Sequence, residues 1–152
     1  MATKVDDEYM REALKEAERA LEIGEKPVGA VVVNKGRIIG RAHHQTKTLR
    51  DPTAHAAIIA ITQAANAMQG EPLSSAHIYV TQEPCCMCVG AILLSKINRL
   101  FTGAIDAKQG ACGSVIDIPS NERLNRRLSV ARGVLEAECS SILRKASVST
   151  RL

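Results

Sequence analysis

An α/β sandwich is the fold predicted for this chain of 152 residues, on three observations. Segments of helical periodicity alternate with short β-rich runs, an order that stacks helices against a central sheet. Two of the runs flank Asn34-Lys35-Gly36, a turn sequence able to supply the positive φ of a tight hairpin. The length suits a single domain, 1–152, which can bury roughly 70% of the surface its extended form exposes. Neither an internal repeat nor a low-complexity stretch interrupts it.

The first helix carries Met10, Ala13, Leu14, Ala17 and Leu21 at three- and four-residue intervals, with Asp6 or Asp7 expected to cap it and Gly24 to stop it. Arg11, Lys15, Glu16, Glu18 and Arg19 read as its solvated face. Residues 27–33 and 37–41 form the hairpin strands, and 42–50 a polar loop. Asp51-Pro52 then reads as an N-cap followed by proline at the first helical position, launching a helix to about Met68 with His55 in its first turns. After a linker at 70–75, residues 77–81 are a strand and Pro84 opens a short helix to about Ser95. Residues 99–103 are a fourth strand, 107–114 a glycine-rich loop, 128–132 a fifth strand and 135–145 a last helix.

Composition narrows the function. With no Trp, one Phe and two Tyr, the core must be aliphatic, and base stacking on exposed aromatic platforms is largely excluded. A net charge of +4 and a pI near 8.9 permit phosphate binding without the strongly basic footprint of a dedicated nucleic-acid binder. Five cysteines, an odd count that includes a Cys-x-x-Cys, argue for thiolates in a reducing compartment rather than a disulfide framework. The N-terminus turns acidic before any apolar run, and the longest apolar run, 85–94, is about half the ~20 residues that span a bilayer. A soluble, cytoplasmic protein with no membrane partner is the expectation.

One constellation carries chemistry. His55 precedes Cys85 and Cys88 by about 30 residues, and the two cysteines fall three apart at a helix start, where neighbouring side chains can reach one ion. Helix-start amides also favour thiolate over thiol. A histidine with a Cys-x-x-Cys predicts a Zn2+ site, and three protein ligands leave the fourth position open for a catalytic role. Cys86 falls off the ligand face, while Cys112, Cys139 and His77 read as structural.

The spacing also matches the signature of zinc nucleobase deaminases, histidine-x-glutamate followed by proline-cysteine-x-x-cysteine. Likeness extends through Pro27-Val28-Gly29-Ala30, Asp51-Pro52-Thr53-Ala54-His55, Tyr79-Val80-Thr81, Glu83-Pro84-Cys85 with Met87-Cys88, and Asp106-Ala107-Lys108 with Gly110. On these segments the sequence resembles the bacterial tRNA-specific adenosine deaminase family over nearly its whole length. That resemblance implies a cytidine-deaminase-like three-layer sandwich, a central five-stranded mixed sheet with helices on both faces, and a homodimer. The implied reaction converts adenosine to inosine at the wobble position of a tRNA anticodon loop, a zinc-activated water attacking C6 of a flipped-out adenine while a glutamate shuttles protons. Carried onto this chain, His55, Cys85 and Cys88 take the ligand roles, and backbone at Pro84 and Cys85 lines the site. Val28, Thr53 and Ala54 form pocket walls, and Asp106 contacts the sugar.

Two departures modify that carry-over. Ala57 stands where the family has its proton-shuttling glutamate, so zinc ligation should survive while turnover is nearly lost, and the intact ligands beside it read as an inactivating substitution suited to trapping substrate. His44 stands where the family has an asparagine that hydrogen-bonds the target nucleotide. Ile142-Leu143-Arg144-Lys145 replaces the family's aromatic residues in the last helix, leaving Arg123, Arg126, Arg127, Arg144, Lys145 and Arg151 as candidate phosphate contacts. Alternatives are a deaminase of a free base or nucleoside, of guanine or cytosine type, and a non-catalytic tRNA-binding subunit.

Overall fold

Side chains alternate in and out along the strands, and because both faces of the sheet are covered, both alternating sets are apolar. In the computed structural model, which describes residues 2–149, the elements follow as α1 (Lys4–Glu22), β1 (Gly29–Asn34), β2 (Arg37–His43), α2 (Ala56–Ala67), β3 (Ala76–Gln82), α3 (Cys86–Leu94), β4 (Arg99–Ala104), β5 (Ser129–Ala131) and α4 (Glu136–Ser149). The five strands form one sheet in the order β2-β1-β3-β4-β5, with β1 antiparallel to both neighbours and β3, β4 and β5 parallel. Ala30, Val32, Ile78, Val80 and Leu100 face α2 and α3, packing on Ala56, Ala60, Ala64, Val89 and Ile92. Val31, Val33, Tyr79 and Phe101 face the other way, onto Met10 and Ala13 of α1 and Cys139 of α4. The expected three-layer sandwich with a mixed five-stranded sheet is what forms.

The hairpin turn is as read: Lys35 and Gly36 have φ of 49° and 77°, the positive pair of a two-residue type I′ loop. Small residues let the layers close. A Cβ on Gly29 would strike the Ala13 carbonyl of α1 and lie 2.7 Å from the Ala17 nitrogen, so β1 and α1 approach backbone to backbone.

Three local expectations are corrected. The cap of α1 is Thr3, not Asp6 or Asp7: Asp6 completes a capping box by accepting from the Thr3 amide at 2.7 Å and from its hydroxyl at 2.9 Å. Its other oxygen accepts from the buried Tyr79 hydroxyl at 2.7 Å, locking the helix start to β3. Glu16 does not belong to a solvated face; it is 2% exposed and gathers Arg19, Arg41 and His43 at 2.9, 3.2 and 3.1 Å, joining α1 to β2. The second helix begins at Ala56 rather than Pro52, because Asp51 turns its carboxylate onto the Thr53 amide and hydroxyl, closing a local turn in place of a cap. Among the described residues no helix is long and apolar enough to cross a membrane.

Candidate active site

Connectivity brings the predicted residues to one edge of the sheet. The parallel strands β3 and β4 end there, antiparallel β1 begins there, and the Gly29 amide donates to the Thr81 hydroxyl at 3.0 Å. Since β2 ends opposite Gly29, His44 arrives at the same place, as do the N-termini of α2 and α3. Ligand sites in open α/β sheets form at the carboxyl ends of strands where the order reverses, and this edge meets that condition.

His55 is the N-cap of α2 and Cys85 the N-cap of α3, and neither side chain caps its helix. Instead both turn toward Cys88, in the first turn of α3. The Nδ1 of His55 lies 3.6 Å from Cys85 Sγ and 3.4 Å from Cys88 Sγ, and the three donor atoms all fall within 4.8 Å of one another. A tetrahedral zinc with its usual bond lengths places nitrogen and sulfur ligands about 3.6 Å apart, so the donors already stand at coordination distance. Burial holds the His55 imidazole below its ordinary range, Lys26 adding to this, and so favours the neutral ring a metal requires, while a hydrogen bond to the Pro52 carbonyl acts in the opposite sense and orients it. Burial, reinforced by Cys85, pushes the Cys88 thiol up, the reverse of the helix-dipole expectation; a divalent cation is the charge that offsets it. The donor set therefore fits Zn2+. Among the described residues no fourth His, Cys, Asp or Glu joins the group: Cys86 is exposed, and Cys112 and Cys139 are buried elsewhere.

Above these donors opens a small cleft lined by Val28, His44, Ala57, Pro84 and Asp106. Thr53 and Ala54 do not reach the cleft wall: Thr53 is exposed with its hydroxyl on Asp51, and Ala54 is buried beneath the loop, its carbonyl accepting from Gln45. Lys26, Val80, Gln82, Glu83 and Gln109 also line the cleft; Val80 and Glu83 lie in the matched segments but had no role assigned, and the other three were not singled out from the sequence. Position relative to known motifs was the available signal, since Lys26 adjoins Pro27-Val28, Gln82 ends the strand, and Glu83 leads from it into Pro84-Cys85.

Ala57 is 2% exposed and presents one methyl group at the cleft. His44 brings no proton acceptor to the cleft beside Ala57. Its ring stacks on His55 with centroids 4.5 Å apart, and its Nδ1 accepts the Ala56 amide at 3.2 Å. Burial, with His55 beside it, pushes the ring down to about 3, so it stays neutral and its remaining nitrogen carries the hydrogen. A donor is all it can offer.

Two buried carboxylates brace the loops on either side. Glu25, 3% exposed, accepts from the Lys47 amide at 2.9 Å and the Thr48 amide at 3.2 Å. Glu83, 5% exposed, accepts from the amides of Asp106, Cys112 and Ser114 and from the Ser114 hydroxyl. Burial raises the Glu83 carboxyl, but these bonds outweigh it and leave the group below its ordinary range. Asp106 directs its own carboxylate onto the Lys108 and Gln109 amides at 3.0 and 3.2 Å. Of the basic residues, Arg126 is taken up by the Leu93 and Leu94 carbonyls that end α3, at 2.7 and 3.3 Å, whereas Arg123, Arg127, Arg144 and Lys145 are exposed. Arg151 lies outside the described residues.

Such a fold and donor group define a zinc-dependent nucleobase deaminase, and residues 3–104 match the cytidine and deoxycytidylate deaminase zinc-binding region. The chain is 44% identical over 138 residues to a tRNA-specific adenosine deaminase of Bacillus subtilis, covering 91% of this chain and 86% of that one. It is 42% identical over 135 residues to the Aquifex aeolicus tRNA-specific adenosine deaminase, with 89% of each covered. A structure solved in studies of A-to-I editing by tRNA:A34 deaminases at the wobble position of transfer RNA superposes with a TM-score of 0.85 at 42% identity, over 89% of this chain and 98% of that one. Guanine deaminase from Nitrosomonas europaea shares the fold, with a TM-score of 0.80 at 24% identity over 97% of this chain and 86% of its own. This chain belongs to the tRNA-specific adenosine deaminase family.

Proposed function

We propose that the chain is built for hydrolytic conversion of adenosine to inosine at the wobble position of a tRNA anticodon loop, and that Ala57 leaves it nearly without turnover. The observation that carries this reading is the convergence of His55, Cys85 and Cys88 at the base of a cleft on the switch edge of the sheet. Zinc held by these residues supplies a Lewis acid that activates water. The remaining roles belong to the cleft. Val28 would offer an apolar wall to a base, the His44 ring would donate one hydrogen bond to an acceptor on its edge, and Asp106, on the cleft wall, is assigned to the ribose. Backbone at Pro84 and Cys85 closes the side next to the ligands. A carboxylate at position 57 would take a proton and return it to the base; a methyl group does neither, which removes a contribution of about 10² to 10⁴ in rate.

The relatives' action on tRNA supports an RNA substrate, and Lys26 at the mouth with exposed Arg123, Arg127 and Arg144 provides charge for phosphates. The chain is further read as a cytoplasmic homodimer forming one domain; exposed Leu94 and half-buried Met87, two turns apart on α3, leave apolar surface in support of an interface. Ala57 itself favours a second reading, a non-catalytic tRNA-binding subunit that needs an active partner chain, and a purified protein forming only stable homodimers would count against it.

The test is zinc-loaded Ala57→Glu protein offered an anticodon stem-loop and a panel of free bases and nucleosides. Inosine in the stem-loop is the expected product. Deamination of a free base alone would move the substrate to the guanine or cytosine class, and no deamination of anything would sink the enzyme reading.

A further inference from the structure

A buried carboxylate without a cationic partner is expensive, since removing an ion from water costs several kcal/mol unless other groups replace the lost hydration. Glu83 is such a group. Among the described residues it takes part in none of the ion pairs, and its partners are three backbone amides and one hydroxyl. All four belong to residues 106–114, while Glu83 itself sits two residues before the ligand Cys85. The seat is closely fitted: a Cβ on Gly110 would collide with the carboxylate, and the Ala111 amide donates to the next carbonyl, Pro84, at 2.9 Å. A leucine at position 83 would fill the space at less cost in desolvation, but it could not gather four donors.

We propose that Glu83 is a positioning residue of the active site, binding the 106–114 loop to the segment that carries Cys85 so that Asp106 and Gln109 stand fixed across the cleft from the metal donors. The two oxygens divide the work. One accepts the Asp106 amide at 3.2 Å and the Ser114 hydroxyl; the other accepts the Cys112 amide at 2.9 Å and the Ser114 amide at 3.2 Å. Glutamine can keep its oxygen on the Cys112 and Ser114 amides and turn its NH2 to the Ser114 oxygen, which can accept. The Asp106 amide then faces a second donor and loses its partner. Glu83→Gln thus releases the end of the loop that faces substrate and spares the end packed in the core.

The role rests on the tRNA reading, and the experiment separates the two. Zinc-loaded protein with Ala57 in place, which on that reading binds RNA without consuming it, is compared with its Glu83→Gln and Ser114→Ala variants by zinc content, amide hydrogen exchange and affinity for an anticodon stem-loop. In Glu83→Gln the expected result is zinc still bound, exchange at Asp106 faster by about tenfold with Cys112 unchanged, and stem-loop affinity weaker by about tenfold. Ser114→Ala, which keeps every amide on the carboxylate, is expected to change affinity by less than about threefold. Unchanged exchange at Asp106, loss of zinc, or faster exchange without loss of affinity would each overturn the positioning role. A parent protein that fails to bind the stem-loop would overturn the tRNA reading and this role with it, whereas a binding parent and an equally tight variant would sink this role alone.

Discussion

Removing zinc should cost this protein stability out of proportion to the loss of three bonds. His55 and Cys85 occupy the N-cap positions of α2 and α3, yet neither makes a side-chain cap, so a metal held by these side chains would fix the start of both helices. The donors stand 3.4 and 3.6 Å apart, close to the tetrahedral spacing of about 3.6 Å, so metal binding needs little rearrangement and its free energy is available to the fold. At a thousandfold excess of free zinc over its dissociation constant the linkage is about 4 kcal/mol. A domain of this size melts roughly 2–4 °C lower for each kcal/mol lost, which gives a fall of roughly 8–16 °C. The assay is thermal unfolding before and after exhaustive chelation, with zinc content measured on the same samples. Cys88→Ala supplies the control: 3% exposed and in the first turn of α3, it removes one donor at little cost in packing, so the variant should melt near the chelated parent and ignore chelator. A metal-free protein melting within about 2 °C of the zinc-loaded one would refute the argument, as would a Cys88→Ala variant that still gains stability from zinc.

Other outcomes follow from contacts far from the metal. Tyr79→Phe keeps a ring stacked 4.4 Å from Phe101 and deletes only the 2.7 Å bond to Asp6, so the cost at neutral pH should be about 1.5–3 kcal/mol, read as a shift in urea midpoint at constant slope. Burial raises the Asp6 carboxyl, but bonds from Tyr79 and Thr3 prevail and hold it below its ordinary range; its contribution is therefore present above the unfolded value near 4 and lost as pH falls through the folded value. The Tyr79→Phe penalty should accordingly narrow under acid titration, and a penalty that is constant with pH would mean the bond is not to a carboxylate. Gly29→Ala forces a methyl group into the Ala13 carbonyl, so a loss of about 3 kcal/mol or more is expected, and near-normal stability would show that α1 can lift from β1.

The sequence exposed the fold through period. Strands such as β1 read as continuous apolar runs because both faces are covered, and the type I′ turn was visible in Asn34-Lys35-Gly36 because only backbone preference is involved. Helix starts were less legible. Asp51 had the chemistry of a cap but found nearer donors in Thr53, and the actual caps, His55 and Cys85, turn their side chains toward Cys88 instead of their own helices. Glu16, Glu25 and Glu83 were invisible as buried groups, since residue type alone assigns a carboxylate to water. Thr53 and Ala54 share a motif with His55 but not its direction, and a one-dimensional match could not separate them.

Composition and spacing alone therefore pointed to an α/β domain and to a zinc group of His55, Cys85 and Cys88, and the matched segments pointed to the deaminase family. These rest on covalent order and local backbone geometry, which act before the chain is packed. Tertiary structure decided the rest: that His44 presents a donor and nothing else, that Tyr79 bonds a carboxylate 73 residues away, and that Glu83 ties a loop to the metal segment. A charge can stay buried only where several donors converge on it, and that convergence exists only once distant segments are brought together.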